Sequence, residues 1–137
     1  MADLPFVDVH RVPVTASPEQ LWASLITTVG ALFSRGARAA WLLGCDPATG
    51  SRSFTGRVGQ TLPGFQVVEA EVGHRLALAG RHRFSRYRLT FLIEDGTLSA
   101  ETRAEFPGIR GRLYRAAVIR SGGHMFLTRR MLRAIAA

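Results

Sequence analysis

The stretch Gly108–Ala137, GIRGRLYRAAVIRSGGHMFLTRRMLRAIAA, follows a run of alternating, strand-like segments and changes the period of the chain. Each helical residue advances about 100° around its axis. With Arg112 facing solvent, Tyr114, Ala117, Val118, Ser121, Met125, Thr128, Leu132 and Ile135 gather on the opposite side. The spacing predicts one long amphipathic helix. Tyr114, Ser121 and Thr128, with His124 at the border, thread polar groups through an apolar stripe, which suits the wall of a ligand cavity better than a plain core.

Upstream of this helix, Arg52–Val58, Phe65–Val72, Leu76–Gly80, Arg83–Glu94 and Leu98–Phe106 read as strands of an antiparallel meander separated by glycine-containing turns. Asp95-Gly96 is the strongest turn signal, because both central positions of a tight hairpin require a positive φ that Asp and Gly tolerate. It predicts a register. Glu94 opposes Thr97, so Ile93, Phe91, Leu89 and Tyr87 face Leu98, Ala100, Thr102 and Ala104 on one side of the sheet. Arg86 with Glu105, Thr90 with Glu101, and Arg88 with Arg103 then form the solvated side. The inner side sets large residues against small ones, an arrangement that receives a helix or leaves a void.

The first strand, Val7–Val14, runs into a helix start. Ser17 as N-cap, Pro18 at the first helical position and Gln20 three residues after the cap make a capping box. Leu21, Trp22, Leu25, Ile26, Val29, Leu32 and Phe33 recur at helical spacing. Gly36 breaks this helix, and a second short one, Ala37–Leu43, ends near Gly44.

At 137 residues the chain is expected to form one domain spanning residues 1–137. A single Cys45 excludes an intramolecular disulfide, and no apolar run approaches the roughly 18 residues of a membrane span. Met1–Phe6 lacks the basic and then apolar order of a secretory signal, so a cytoplasmic location is expected. The net charge of +8 is uneven: residues 1–71 carry five Arg and six acids, residues 72–137 thirteen Arg and four acids. An anionic partner is one explanation. A solvated basic face in a composition that uses arginine and no lysine is the other. The basic face of the last helix offers no aromatic side chain for stacking, which argues against single-stranded nucleic acid.

The order strand, two helices, antiparallel strands and long terminal helix resembles the helix-grip fold of the START and Bet v 1-like (SRPBCC) superfamily, including the polyketide cyclase/dehydrase group. The likeness rests on Val12-Pro-Val-Thr-Ala-Ser-Pro-Glu-Gln-Leu-Trp22, similar to that superfamily's strand into a Pro-Glu-x-x-Trp helix, and on Arg88-Leu-Thr-Phe91 through Ala104-Glu-Phe106 before the terminal helix. It implies an α+β fold in which a curved antiparallel sheet grips the last helix around an apolar cavity. Fold alone does not license an activity. The chain is also short, with room for five or six strands where the superfamily commonly has seven.

The expected function is binding of a small hydrophobic, oxygen-bearing ligand, lipid- or polyketide-like, between the terminal helix and the sheet. Arg83, Tyr87, Leu89, Phe91, Thr102, Tyr114, Ser121, His124, Met125 and Thr128 are the candidate lining residues. A cyclase or aromatase acting there would need a general acid or base near a polarised ketone, for which His124, Tyr114 and Arg83 are candidates. An inward Arg83 would clamp an anion or pair with Glu69 or Glu71. Either tyrosine alone reads more readily as a core residue with its hydroxyl satisfied than as cavity wall. Gly122-Gly123 either admits a ligand or lets the helix pack closely. His10, Cys45, His74, His82 and His124 show no paired metal-ligand spacing, and no phosphate-binding glycine loop is present, so no metal or cofactor is expected. The protein is compatible with a monomer or a homodimer.

Overall fold

The computed structural model describes residues 4–51, 53–83, 85–105 and 123–136, with side chains for these other than residues 39 and 123–127. Strand β1 (Phe6–Pro13) leads into α1 (Pro18–Ser34) and α2 (Ala37–Leu43); β2 (Thr61–Leu62), β3 (Phe65–Glu71), β4 (Arg75–His82), β5 (Ser85–Glu94) and β6 (Thr97–Glu105) follow, and α3 (Gly123–Ala136) ends the chain. The strands form one antiparallel sheet in the order β1-β6-β5-β4-β3-β2, so the first strand closes on the last. This is the α+β helix-grip architecture.

The sheet register follows from its turn chemistry. Asp95 and Gly96 sit at φ 47° and 73°, and β5 pairs with β6 as Glu94↔Thr97, Ile93↔Leu98, Phe91↔Ala100, Leu89↔Thr102 and Tyr87↔Ala104. Side chains alternate across a strand. Leu89, Phe91, Ile93, Leu98 and Ala100 are accordingly buried on the inner face. On the outer face Arg88 and Arg75 both reach Glu69, at 3.0 and 2.6 Å, and Arg86 lies near Glu105. Burial pushes the Glu69 carboxyl up, but the charges and hydrogen bonds of Arg75 and Arg88 together outweigh it and hold the group below 4.5.

Helix α1 begins with the expected capping box, Ser17 Oγ accepting from the Gln20 N–H and the Gln20 side chain accepting from the Ser17 N–H. Its stripe Leu21, Trp22, Leu25 and Val29 is buried. Helix α2 ends on Gly44 at φ 68°, the left-handed position that glycine occupies without a Cβ clash. Helix α3 packs on α1, β1 and β6 and buries Thr128, Met131, Leu132 and Ile135 in one core with the inner sheet face and α1. Ser24 Oγ on α1 donates to the Ile135 carbonyl at 2.7 Å, fastening the last turn of α3. Residues 108–122 of the expected long helix lie outside the described residues.

Of the segment expected as a strand at Arg52–Val58, the described residues 53–58 do not form one. Gly56 turns it at φ 81°, and the Gln60 side chain takes up its polar backbone groups: Oε1 accepts from the N–H groups of Thr55 and Arg57, and Nε2 donates to the Ser53 carbonyl. With those groups satisfied locally, no ladder forms, and the short β2 at Thr61–Leu62 pairs with β3 instead. Removing Ser17 Oγ leaves a first-turn N–H open, so Ser17→Ala should cost about 1 kcal/mol. Leu25→Ala, which empties a fully buried site, should cost about 2–5 kcal/mol. Urea unfolding with the denaturant slope unchanged would measure both.

Candidate functional site

The inner face of the sheet is apolar at its centre and polar toward one end. Directly paired residues of an antiparallel ladder project to the same side. Because Val12, His10 and Asp8 on β1 pair with Leu98, Ala100 and Thr102 on β6, all three β1 side chains share the inner face with Phe91 and Leu89. A bulge at Val7, between the pairs Phe6↔Arg103 and Asp8↔Thr102, then turns Phe6 to the outer side, where the Arg103 guanidinium lies over its ring. His10 Nε2 stands 3.3 Å from Asp8 Oδ2, and the His10 side chain is 11% exposed.

Beside this pair lies Thr102. The residue is 8% exposed, and its Oγ1 has no hydrogen-bond partner among the described residues. A buried hydroxyl left unpaired costs about 1–3 kcal/mol. Its neighbours along β6, Ala100 and Ala104, are small, so the ridge formed by Leu89 and Phe91 on β5 has no bulky counterpart there. Thr128 on α3 is also buried.

The next rows of the face are closed by the β2–β3 turn. Gly64 at φ 86° brings its carbonyl over Gly80, where a β-carbon would overlap the Gly64 oxygen. Tyr87, paired with Gly80, donates its hydroxyl proton to that carbonyl at 2.6 Å. Its ring packs edge-on against Phe65, which stacks on Phe33, and His82 lies tilted at 5.5 Å. Tyr87 thus faces inward as expected, with its proton committed to the turn.

Arg83 does not share that face. His82 pairs with Ser85, so the alternation stops before Arg83, which lies in the turn between the two strands. Arg83 is exposed; its N–H donates to the Leu43 carbonyl, and its side chain lies along Gly44. It pairs with neither Glu69, held by Arg75 and Arg88, nor Glu71, which lies 3.8 Å from His74. Leu89, Phe91 and Thr102 line the inner face as expected, and Thr128 is buried on α3. His124 and Met125 fall within α3, but their side chains, with Tyr114 and Ser121, lie outside the described residues. Asp8 and His10 are additional. The alternation Asp8, His10, Val12 carried the signal, since an inward Val12 requires the other two to point inward as well.

No family model matches the chain, and no curated protein matches it. Among solved structures it is similar to the protein CV1439 from Chromobacterium violaceum (16% identity, 96% of each chain, TM-score 0.56). It is also similar to the protein BH1534 from Bacillus halodurans (16% identity, the whole of each chain, TM-score 0.52). A third likeness is to DynU16, described as belonging to the dynemicin biosynthetic locus, with 15% identity over 99% of this chain and 46% of DynU16, TM-score 0.54. At these identities the likeness is one of fold. Among the described residues no helix is long and apolar enough to cross a membrane.

Gly80→Ala should displace the β2–β3 turn and destabilise the protein by at least about 2 kcal/mol, whereas Tyr87→Phe should cost only about 1 kcal/mol; chemical denaturation ranks the two. Burial holds the His82 imidazole below its usual 6.5. The unfolded chain therefore takes up a proton first as pH falls through 6.5, and stability should decline from there to the lower folded-state pKa, then level off. His82→Gln should flatten that decline in melting curves taken across the interval.

Proposed function

We propose that this protein binds a small, largely apolar, oxygen-bearing molecule between the inner face of its sheet and the C-terminal helix. The observation that carries this reading is the buried Thr102 hydroxyl with no partner among the described residues, set between alanines and beside Leu89 and Phe91. Buried polar groups are nearly always hydrogen-bonded, and a ligand oxygen would satisfy this one. Leu89 and Phe91 supply the apolar contact, with Tyr114, Ser121, His124, Met125 and Thr128 as candidate lining from the helix. DynU16 comes from a biosynthetic locus, a setting that agrees with a small-molecule ligand.

A second reading, catalysis of the cyclase or aromatase kind in the same space, draws support from the Asp8–His10 pair. A carboxylate behind an imidazole orients the ring for general-base work. The basic-surface reading is weaker: Arg75, Arg81, Arg86, Arg88 and Arg103 each lie within ion-pair distance of an acid.

Thr102→Val separates ligand from packing. Val has nearly the same shape without the hydroxyl, so the empty protein should gain up to about 1 kcal/mol while losing any molecule that co-purifies with the wild type in native mass spectrometry. A loss of more than about 1 kcal/mol would show that the hydroxyl is already paired inside the protein, and the reading would lose its support.

A further inference from the structure

On the reading that the space above the inner face holds an apolar ligand, we propose that His10 selects for a neutral hydroxyl donor, such as a phenol or enol. Nδ1 of the ring accepts the ligand's proton while Asp8 holds the ring from the other side. The inference starts from β1. Its pairing places Asp8, His10 and Val12 on the face that carries Ala100, Thr102 and Leu98, and Val12 packs against the core, so His10 is directed toward the same interior.

An ionised carboxylate only accepts hydrogen bonds. The 3.3 Å contact between His10 Nε2 and Asp8 Oδ2 therefore assigns the ring proton to Nε2, and a neutral imidazole with its proton there has a bare lone pair at Nδ1. Among the described residues Nδ1 makes no hydrogen bond. The inner face thus offers a fixed acceptor at Nδ1, an adaptable hydroxyl at Thr102 directly opposite Asp8, and the small Ala100 directly opposite His10.

That combination fits a ligand oxygen that gives a proton to His10 and a second polar atom that meets Thr102. It does not fit a carboxylate. In the neutral Nε2–H tautomer the ring's one N–H is already given to Asp8, so none is left to donate to an anion. Arg83, which would have favoured an anion, lies outside on the hairpin turn. Asp8 is a positioning residue, acting through the tautomer it imposes.

Three probes of one shape test the inference: 2-naphthol, 2-methylnaphthalene and 2-naphthoate, titrated calorimetrically at a pH where the naphthol is neutral. Wild-type protein should bind the naphthol about tenfold more tightly than the methylnaphthalene, the worth of one well-made hydrogen bond, and the naphthoate most weakly. His10→Phe should abolish the preference while leaving methylnaphthalene binding in place. Equal binding of naphthol and methylnaphthalene, tightest binding of naphthoate, or a preference that survives His10→Phe would overturn it.

The nitrogen chemical shifts of His10 give an independent readout. The wild type should show the proton on Nε2, and Asp8→Asn should weaken that preference without unfolding the protein; a proton on Nδ1 in the wild type overturns the proposal. If none of the three naphthalenes binds, the pocket reading fails for this class of molecule, and the shifts still decide whether His10 presents an acceptor.

Discussion

Two consecutive residues held at positive φ, Asp95 and Gly96, determine the parity of both long strands, and the two faces of the sheet follow from that parity. A slip by one residue would turn Leu89, Phe91, Ile93, Leu98 and Ala100 out to solvent and bring Arg86, Arg88, Arg103 and three acids inside. The cost of burying those charges is far greater than the worth of any single contact in the sheet. Register and core are therefore one constraint. Strand β1 joins it through β6: once Val12 stands opposite Leu98, His10 and Asp8 are placed on the inner face as well.

The remaining contacts close the sheet onto its helices. Gly64 crosses Gly80 so closely that neither position has space to spare, and the Tyr87 hydroxyl fixes the crossing. Opposite, Ser24 holds the final turn of α3 against α1. These ties sit at the periphery of a continuous apolar cluster that runs from Leu21 to Ile135. Polar groups on the inner face are consequently confined to particular places. The Tyr87 hydroxyl is engaged by the turn and the His10 ring by Asp8, whereas the Thr102 hydroxyl has no partner among the described residues.

On the proposed reading, the inner face suits neutral polar ligands better than anions. The described basic side chains of the sheet point outward or lie in turns, most of them against carboxylates. Burial holds the His82 imidazole below its usual range, and Asp8, an acid that faces inward, stands behind an imidazole. The basic character of the chain and the proposed ligand site are thus separate features, located on different surfaces.

Much of the fold could be read from local chemistry: the capping box at Ser17, the glycine stop at Gly44, the hairpin at Asp95-Gly96 and every pairing between β5 and β6. Each depends on residues close in the chain, whose φ preferences and spacing act without tertiary help. Residues 53–58 failed as a strand because a side chain beyond them, Gln60, took up their backbone hydrogen bonds. Arg83 left the inner face because pairing of His82 with Ser85 ended the strand one step before it. The Asp8–His10 pair needed the register of β1 against β6, which joins residues as far apart in the chain as Asp8 and Thr102 and which no local preference encodes. The sequence by itself determined the elements, the turn and the parity of the hairpin, since these are short-range. Tertiary structure decided which polar groups share the interior, because only the closing of the first strand on the last brings Asp8, His10 and Thr102 together.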